Sequence, residues 1–201
     1  MARWSALALI LAATTALVGA AEQRPEAADS VLLVAKPGLQ DPRFSETVVL
    51  VVRTPDLETV GVILNRPLPL KLSQIVDDES LAKNYRGPVF FGGPVLERTL
   101  VALFRSARAP EAPAFHVLEG VYLSIHPANV ERLLRSPGSG YRIYAGFSGW
   151  APRQLETEIE RDGWYVLPAS AELLFRADTA GLWEELLERT RGKRAALYSP
   201  P

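Results

Sequence analysis

Several places along the chain combine residue types that do chemistry in other proteins. Gly146-Phe147-Ser148-Gly149-Trp150 sits between a strand-like run and a helix-like run, where a hydrolase would hold its nucleophilic serine. The nucleophile elbow needs a glycine two places after that serine, and Trp150 stands there instead. His116 and His126 both precede Ser148, against the order such hydrolases use, although other folds use other orders. The same two histidines fit neither an i, i+4 pair on a helix nor a closed zinc pattern. Gly92-Gly93-Pro94 follows a short strand, but no GxGxxG or Walker lysine accompanies it, and Pro94 removes a backbone donor that a phosphate would use. Asp77-Asp78-Glu79 reads as a solvated helix edge rather than a metal site.

Two other segments hold more. In the loop Lys36 to Phe44, Gln40, Asp41 and Arg43 lie among Pro37 and Pro42, which restrict the backbone. In the plainer reading, Asp41 bonds its own turn while Leu39 and Phe44 anchor the loop. In the sharper reading the loop is a rigid recognition element. Beyond Gly149, the spacing of Trp150, Gln154 and Glu158 predicts one row along a helix, beside Leu155 and Ile159. Trp150 reads as a packing anchor; Gln154 and Glu158 offer a polar edge to a neighbouring loop or to a ligand at the helix start.

The elements that must hold these residues follow from hydrophobic periodicity. Val31–Ala35, Thr47–Val52 and Thr59–Leu64 are β-branched runs that predict strands, the last two joined as an antiparallel hairpin by Thr54-Pro55-Asp56. Pro88–Phe91, Leu100–Phe104, Phe115–Leu118, Val121–Ile125, Tyr141–Phe147 and Trp164–Leu167 predict further strands, with a second hairpin turning at Glu119-Gly120. Helices are expected at Leu70–Val76 (with Ser73 as N-cap), Pro127–Leu134, Pro152–Arg161, Ala171–Phe175 and Gly181–Arg191. Strands dominate early and the two types mix later, which predicts one α+β domain rather than regular βαβ winding.

Composition limits the function classes. The chain has 201 residues, 48% hydrophobic and 22% charged, with a formal net charge of −1 and no cysteine. One domain with a real core fits that length. Near-neutral charge argues against a nucleic-acid binder. The lack of cysteine excludes disulfides, thiol nucleophiles and cysteine-ligated metals. Residues 1–21 have one charge, Arg3, then an apolar run from Ala6 to Val18 and small residues at Val18-Gly19-Ala20-Ala21. That is the pattern of a secretory signal peptide cleaved after Ala20 or Ala21. The run is shorter than the roughly 20 residues that span a bilayer, so no membrane span is expected after cleavage. Residues 22–29 read as a flexible lead-in, 30–192 as the domain and 193–201 as a loose tail.

Three stretches in order, VLLVAKPGLQDPRFSETVVLVV, then GVILNRPL with PVFFGGPV, then YAGFSGWAPRQLETEIERDGWYVLPA, resemble the YqgE/AlgH family. The resemblance runs from Val31 to Arg191. It implies a single α+β domain with a bifurcated mixed β-sheet, or small barrel, surrounded by helices. It implies no established enzyme activity and no cofactor, and the AlgH name carries a suggested role in regulating transcription of alginate production. Two departures stand out. Family members are typically cytosolic and begin near the first strand. They also often carry a histidine closing the strand after GGPV, where this chain has Leu103, Phe104 and Arg105.

The expectation is therefore an exported, periplasmic or secreted, non-catalytic domain that binds a small ligand or a protein partner, without metal or cofactor. Its candidate site comprises Gln40, Asp41, Arg43, Asn65, Gly92, Gly93, Gly149, Trp150, Gln154 and Glu158, because polar and glycine residues concentrate in those loops. The alternatives are a cytosolic transcriptional regulator and, third, a hydrolase using a carboxylate and bound water.

Overall fold

A computed structural model describes residues 30–54, 58–76, 78–136 and 140–198. The expected signal peptide and lead-in lie outside the described residues, as do the tip of the first hairpin, Asp77 and residues 137–139.

Among the described residues, nine strands form a single sheet: β1 (Ser30–Ala35), β2 (Val48–Arg53), β3 (Thr59–Ile63), β4 (Val89–Phe91), β5 (Val95–Arg105), β6 (Phe115–Leu118), β7 (Val121–Ser124), β8 (Tyr141–Trp150) and β9 (Trp164–Pro168). Their order is β6-β7-β5-β8-β3-β2-β1-β9, with β4 on β8. All pairings are antiparallel except β4 with β8. The β2–β3 hairpin forms as expected, closed by Thr54 N–H donating to Glu58 O at 2.8 Å. The sheet curls into a half-barrel, and Ser30 Oγ on β1 donates to Val117 O on β6 at 2.6 Å, joining strands from opposite ends of that order.

Strand alternation decides what each face buries. Leu32, Leu50, Val62, Leu103, Leu123 and Tyr144 point into the curl, where Leu173, Leu174, Leu182 and Leu186 of helices α4 (Ala171–Leu174) and α5 (Leu182–Tyr198) close over them. The outer face has two patches. Phe104, Tyr122 and Ile143 meet Ala82 of α1 (Glu79–Ala82) and Val130, Leu133 and Leu134 of α2 (Pro127–Arg135). Leu33, Val49, Val51 and Ile63 meet Trp150, Trp164 and Leu155 of α3 (Gln154–Glu160). Each fully buried aliphatic side chain contributes about 1.5–3 kcal/mol, which makes this sheet the main source of stability.

The bifurcation lies on one edge of β8. Strand β3 pairs with β8 only from Thr59↔Trp150 to Gly61↔Ser148. Past that point β4 wedges between them: Gly92 N–H donates to Ala145 O at 2.9 Å, and Gly92 O accepts from Ile63 N–H at 3.0 Å and from Ser148 Oγ at 3.1 Å. The wedge needs two bare backbones. A Cβ on Gly92 would lie 2.1 Å from Gly146 O. Gly146 has φ +70°, and a Cβ there would lie 2.5 Å from Gly93 O.

Four expectations are corrected. Gly149 and Trp150 end β8 rather than starting a helix; Pro152 and Arg153, the latter left-handed at φ 66°, turn the chain before α3 begins at Gln154. Ser73 lies inside a short 3-10 turn, Leu72–Gln74, preceded by Lys71, so it is not the N-cap. Strand β5 begins at Val95, five residues early, because its bulged, exposed first half carries polar residues that the apolar pattern misses. Helix α5 continues to Tyr198, into the expected loose tail, since Lys193, Arg194, Ala195 and Ala196 are good helix formers and proline comes only at Pro200.

Replacing Gly146 by alanine forces both a strained φ and a backbone clash. Gly146→Ala is expected to cost about 2–4 kcal/mol in urea unfolding; a loss under about 0.5 kcal/mol would show that the wedge tolerates a side chain.

Candidate functional site

The loop after β1 is built on Asp41. Its Oδ1 accepts from Arg43 N–H at 2.9 Å, a turn bond of the kind short acidic side chains make. The Arg43 guanidinium returns to the same carboxylate through Nε at 3.0 Å and Nη2 at 2.7 Å, a two-pronged pair at the surface. That pairing holds the Asp41 carboxyl below its ordinary range. Gln40 is exposed beside it. Leu39 and Phe44 pack onto the outer tryptophan-bearing patch, so the local-turn reading of this loop describes its geometry.

Asn65 sits one turn away and works as a piece of backbone. Its Oδ1 accepts from Val48 N–H at 2.9 Å and its Nδ2 donates to Glu46 O at 3.0 Å. Glu46 takes the left-handed region at φ 56°, and Asn65, just past β3, holds the two peptides that follow it through Glu46 O and Val48 N–H. Arg66 adds two donations, to Arg43 O at 2.5 Å and to Ser45 O at 3.0 Å. The loop is thereby fixed along most of its length.

Glu158 is the hub of the second segment. Its Oε2 accepts from Trp150 Nε1 at 3.1 Å and from Trp164 Nε1 at 3.0 Å; its Oε1 accepts from Gln154 Nε2 at 3.1 Å. Gln154 Oε1 in turn accepts from Ala151 N–H at 3.2 Å. Phe44 lies 5.9 Å from each indole, centroid to centroid, and so joins the loop to the hub. One carboxylate therefore links β8, α3 and β9. The expected row of Trp150, Gln154 and Glu158 meets, although Trp150 comes from a strand. Trp164 was not anticipated: it lies on β9, across a turn from Glu158 on α3, and no single-element periodicity relates the two.

The remaining candidates lie elsewhere. Gly92 and Gly93 are buried at the wedge, and Gly149 is an exposed residue near the end of β8. Ser148 is fully buried with its hydroxyl committed to Gly92 O, which leaves it no access to a substrate. His126 caps α2 through Nδ1, accepting from Ala128 N–H at 3.2 Å, and His116 lies in β6. Among the described residues, no group of three or more His, Asp or Glu could hold a metal, and no helix is long and apolar enough to cross a membrane.

Concave space occurs on another part of the surface. A groove of about 970 Å³ is lined by Leu70–Ser73, Glu79, Ser80, Ala82, Lys83 and Tyr85–Pro88. A smaller one of about 330 Å³ between α1, α2 and β5 is lined by Val76, Leu81, Leu100, Val130 and Leu134, among others. The sequence signalled neither, because their lining residues are ordinary helix and loop types scattered over several elements.

Residues 32–195 match a family model described as AlgH-like. The chain belongs to the AlgH-like family. A UPF0301 protein of Thermobifida fusca is 37% identical, with 85% of this chain and 90% of that protein covered. Another from Streptomyces coelicolor is 35% identical over the same shares. Among solved structures, a protein from Corynebacterium diphtheriae superposes with a TM-score of 0.64 at 24% identity, covering 83% of this chain and 89% of that one. The AlgH protein from Pseudomonas aeruginosa gives 0.63 at 23%, covering 89% and 93%. These two likenesses place this AlgH-like chain in the same α+β fold.

Removing the hub acceptor leaves two largely buried indole N–H groups unpaired. Glu158→Ala is expected to cost about 2–4 kcal/mol in urea unfolding and to shift tryptophan emission, with Glu158→Gln costing about half as much. A surface-like loss under about 0.5 kcal/mol would refute the hub. Because Asp41 titrates below its ordinary value, its pair with Arg43 supports the fold above the unfolded carboxylate range. That support fades as pH falls through the lowered value. NMR titration should show Asp41 rising toward the ordinary carboxylate value in Arg43→Ala.

Proposed function

We propose that this AlgH-like chain is a non-catalytic binding domain that acts outside the cytoplasmic membrane and holds a small ligand or a protein partner. One observation carries the reading. Asp41 and Glu158, the acids of the candidate site, are both occupied by fixed donors of the chain itself, while the concave space lies elsewhere. A general base needs a lone pair aimed at substrate. Glu158 directs its oxygens at two indoles and an amide, and Asp41 at a guanidinium and a peptide. Such groups serve rigidity, and a rigid scaffold suits binding.

The groove of about 970 Å³ falls within the size range of ligand clefts, roughly 300–1,000 Å³. The export part of the reading rests on the pattern of residues 1–21: one positive charge, an apolar run and small residues at Ala20 and Ala21. N-terminal sequencing of the protein from separated cell fractions tests it. Mature chain beginning at Ala21 or Glu22 and found outside the cytoplasmic membrane is the expected result. A chain still starting at Met1 or Ala2 in the cytosol would overturn it and favour the regulatory alternative.

A further inference from the structure

The larger groove has a chemical character that its position alone does not reveal. Lys71, Lys83 and Arg86 stand exposed along it, and Glu79 is the acid that shares the lining. Among the described residues, none of these three cations has a side-chain hydrogen bond or an ion pair, which also holds for scattered surface arginines such as Arg98 and Arg161; what sets the groove apart is that three such cations line one cavity. Three cations against one lining acid, Glu79, give the cavity a net positive lining, while the neighbouring Asp78 is turned onto the Ser80 N–H and hydroxyl as the cap of α1.

The wall behind them is fixed. Tyr85 lines the groove; its hydroxyl donates to Pro88 O at 2.8 Å and accepts from Ile143 N–H on β8 at 3.2 Å. Burial pushes the Tyr85 phenol up, while the charge of Arg142, the neighbour of Ile143, pulls it the other way. Arg142 is itself buried, with one guanidinium nitrogen unpartnered. The groove thus has three exposed cations at its rim, while Arg142 lies over the Phe90 ring on the inner side of the sheet and is not part of the lining.

The lining between the charges is apolar. Leu72 and Ala82 are buried beneath it, Pro88 borders it, and Leu70 remains 42% exposed, a large apolar side chain left in water. Ser73 places a hydroxyl on the same lining, where the Ser80 hydroxyl already donates to Asp78 Oδ1 at 2.6 Å. Cations and hydroxyls above an apolar lining complement a molecule with the same two parts. We infer that this groove binds an amphipathic anion: a carboxylate, sulfonate or phosphate head, held by Lys71, Lys83 and Arg86, on an apolar body seated against Leu70 and Leu72. The inference rests on the reading of this chain as a binding domain and names the ligand class for it.

Two dyes of nearly the same shape separate the parts. Anilinonaphthalene sulfonate carries the anionic head, and N-phenylnaphthylamine is its uncharged counterpart. The sulfonate is expected to bind the folded protein and to shift backbone amides of Lys71–Ser73 and Ser80–Gly87 in NMR spectra. Its affinity should fall about tenfold in the exposed double variant Lys83→Glu/Arg86→Glu, and fall with added salt, while the uncharged dye binds weakly and ignores both. Unchanged cooperative unfolding of the variant shows that its fold is intact.

Equal affinity for both dyes, indifferent to the variant and to salt, would overturn the anion class and leave the binding-domain reading standing. Shifts confined to Ile125–Leu134 would place binding in the smaller apolar groove and overturn the site. No shift from either dye in either groove would overturn both the inference and the reading beneath it.

Discussion

Two peptide backbones at Gly92 and Gly146 lie closer than any side chain permits, and the sheet's shape depends on that approach. Strand β4 can enter between β3 and β8 only because nothing projects from Gly92 toward Gly146 O. The entering strand makes one edge of β8 serve two neighbours, parallel on one half and antiparallel on the other. The divergence beyond Gly61↔Ser148 separates the outer face into two patches, each wide enough for its own helical cover. One is closed by α1 and α2, the other by α3 and the tryptophans. Ser148, which resembles a nucleophile in sequence, is a peg in this joint, its hydroxyl filling the remaining valence of Gly92 O.

The Glu158 hub plays a comparable part at the far end of β8. Indole N–H groups near a core must be paired, and a single carboxylate satisfies two of them while α3 leans on the sheet. The loop from Pro37 to Phe44 is pinned to the same place by Phe44. Residues that look reactive in sequence are thereby used to hold elements together, whereas three exposed cations without a carboxylate partner among the described residues line the groove beside α1. Polarity concentrated in these loops marks where the fold is braced.

How much of this was legible in the sequence follows from what each signal measures. Val48–Val52 and Val31–Ala35 announce strands because β-branched side chains suit a buried pleat, and both appear within a residue of the expected bounds. The first half of β5 was not legible, since its bulge exposes Leu96, Glu97 and Arg98 and breaks the alternation that periodicity reads. Trp150 and Gln154 were placed on one helix because i+4 spacing cannot distinguish a helix from a strand that turns at a left-handed Arg153. Their meeting at Glu158 came from the turn's geometry. The resemblance carried the bifurcated α+β fold, while the wedge and its two glycine contacts are products of pairing between residues far apart in the chain. Among the candidate site residues, the loop around Asp41 and the Glu158 row converge through Phe44; Gly92 and Gly93 belong to the joint.

Strand β1 is bonded on one side by β2, its near neighbour in sequence, and on the other by β9, from Val31↔Pro168 to Ala35↔Trp164. A chain synthesised from its N-terminus therefore presents the open side of β1 long before the strand that covers it exists. Local hairpins form quickly, and pairings across most of the chain form slowly, because a long loop must close first. The β1–β2–β3 meander is thus an early platform with an uncovered edge, and completion of the sheet is among the last events of folding. During that interval the apolar run Val31–Ala35 is open to pairing with another chain, a window in which a holding chaperone has the most to protect.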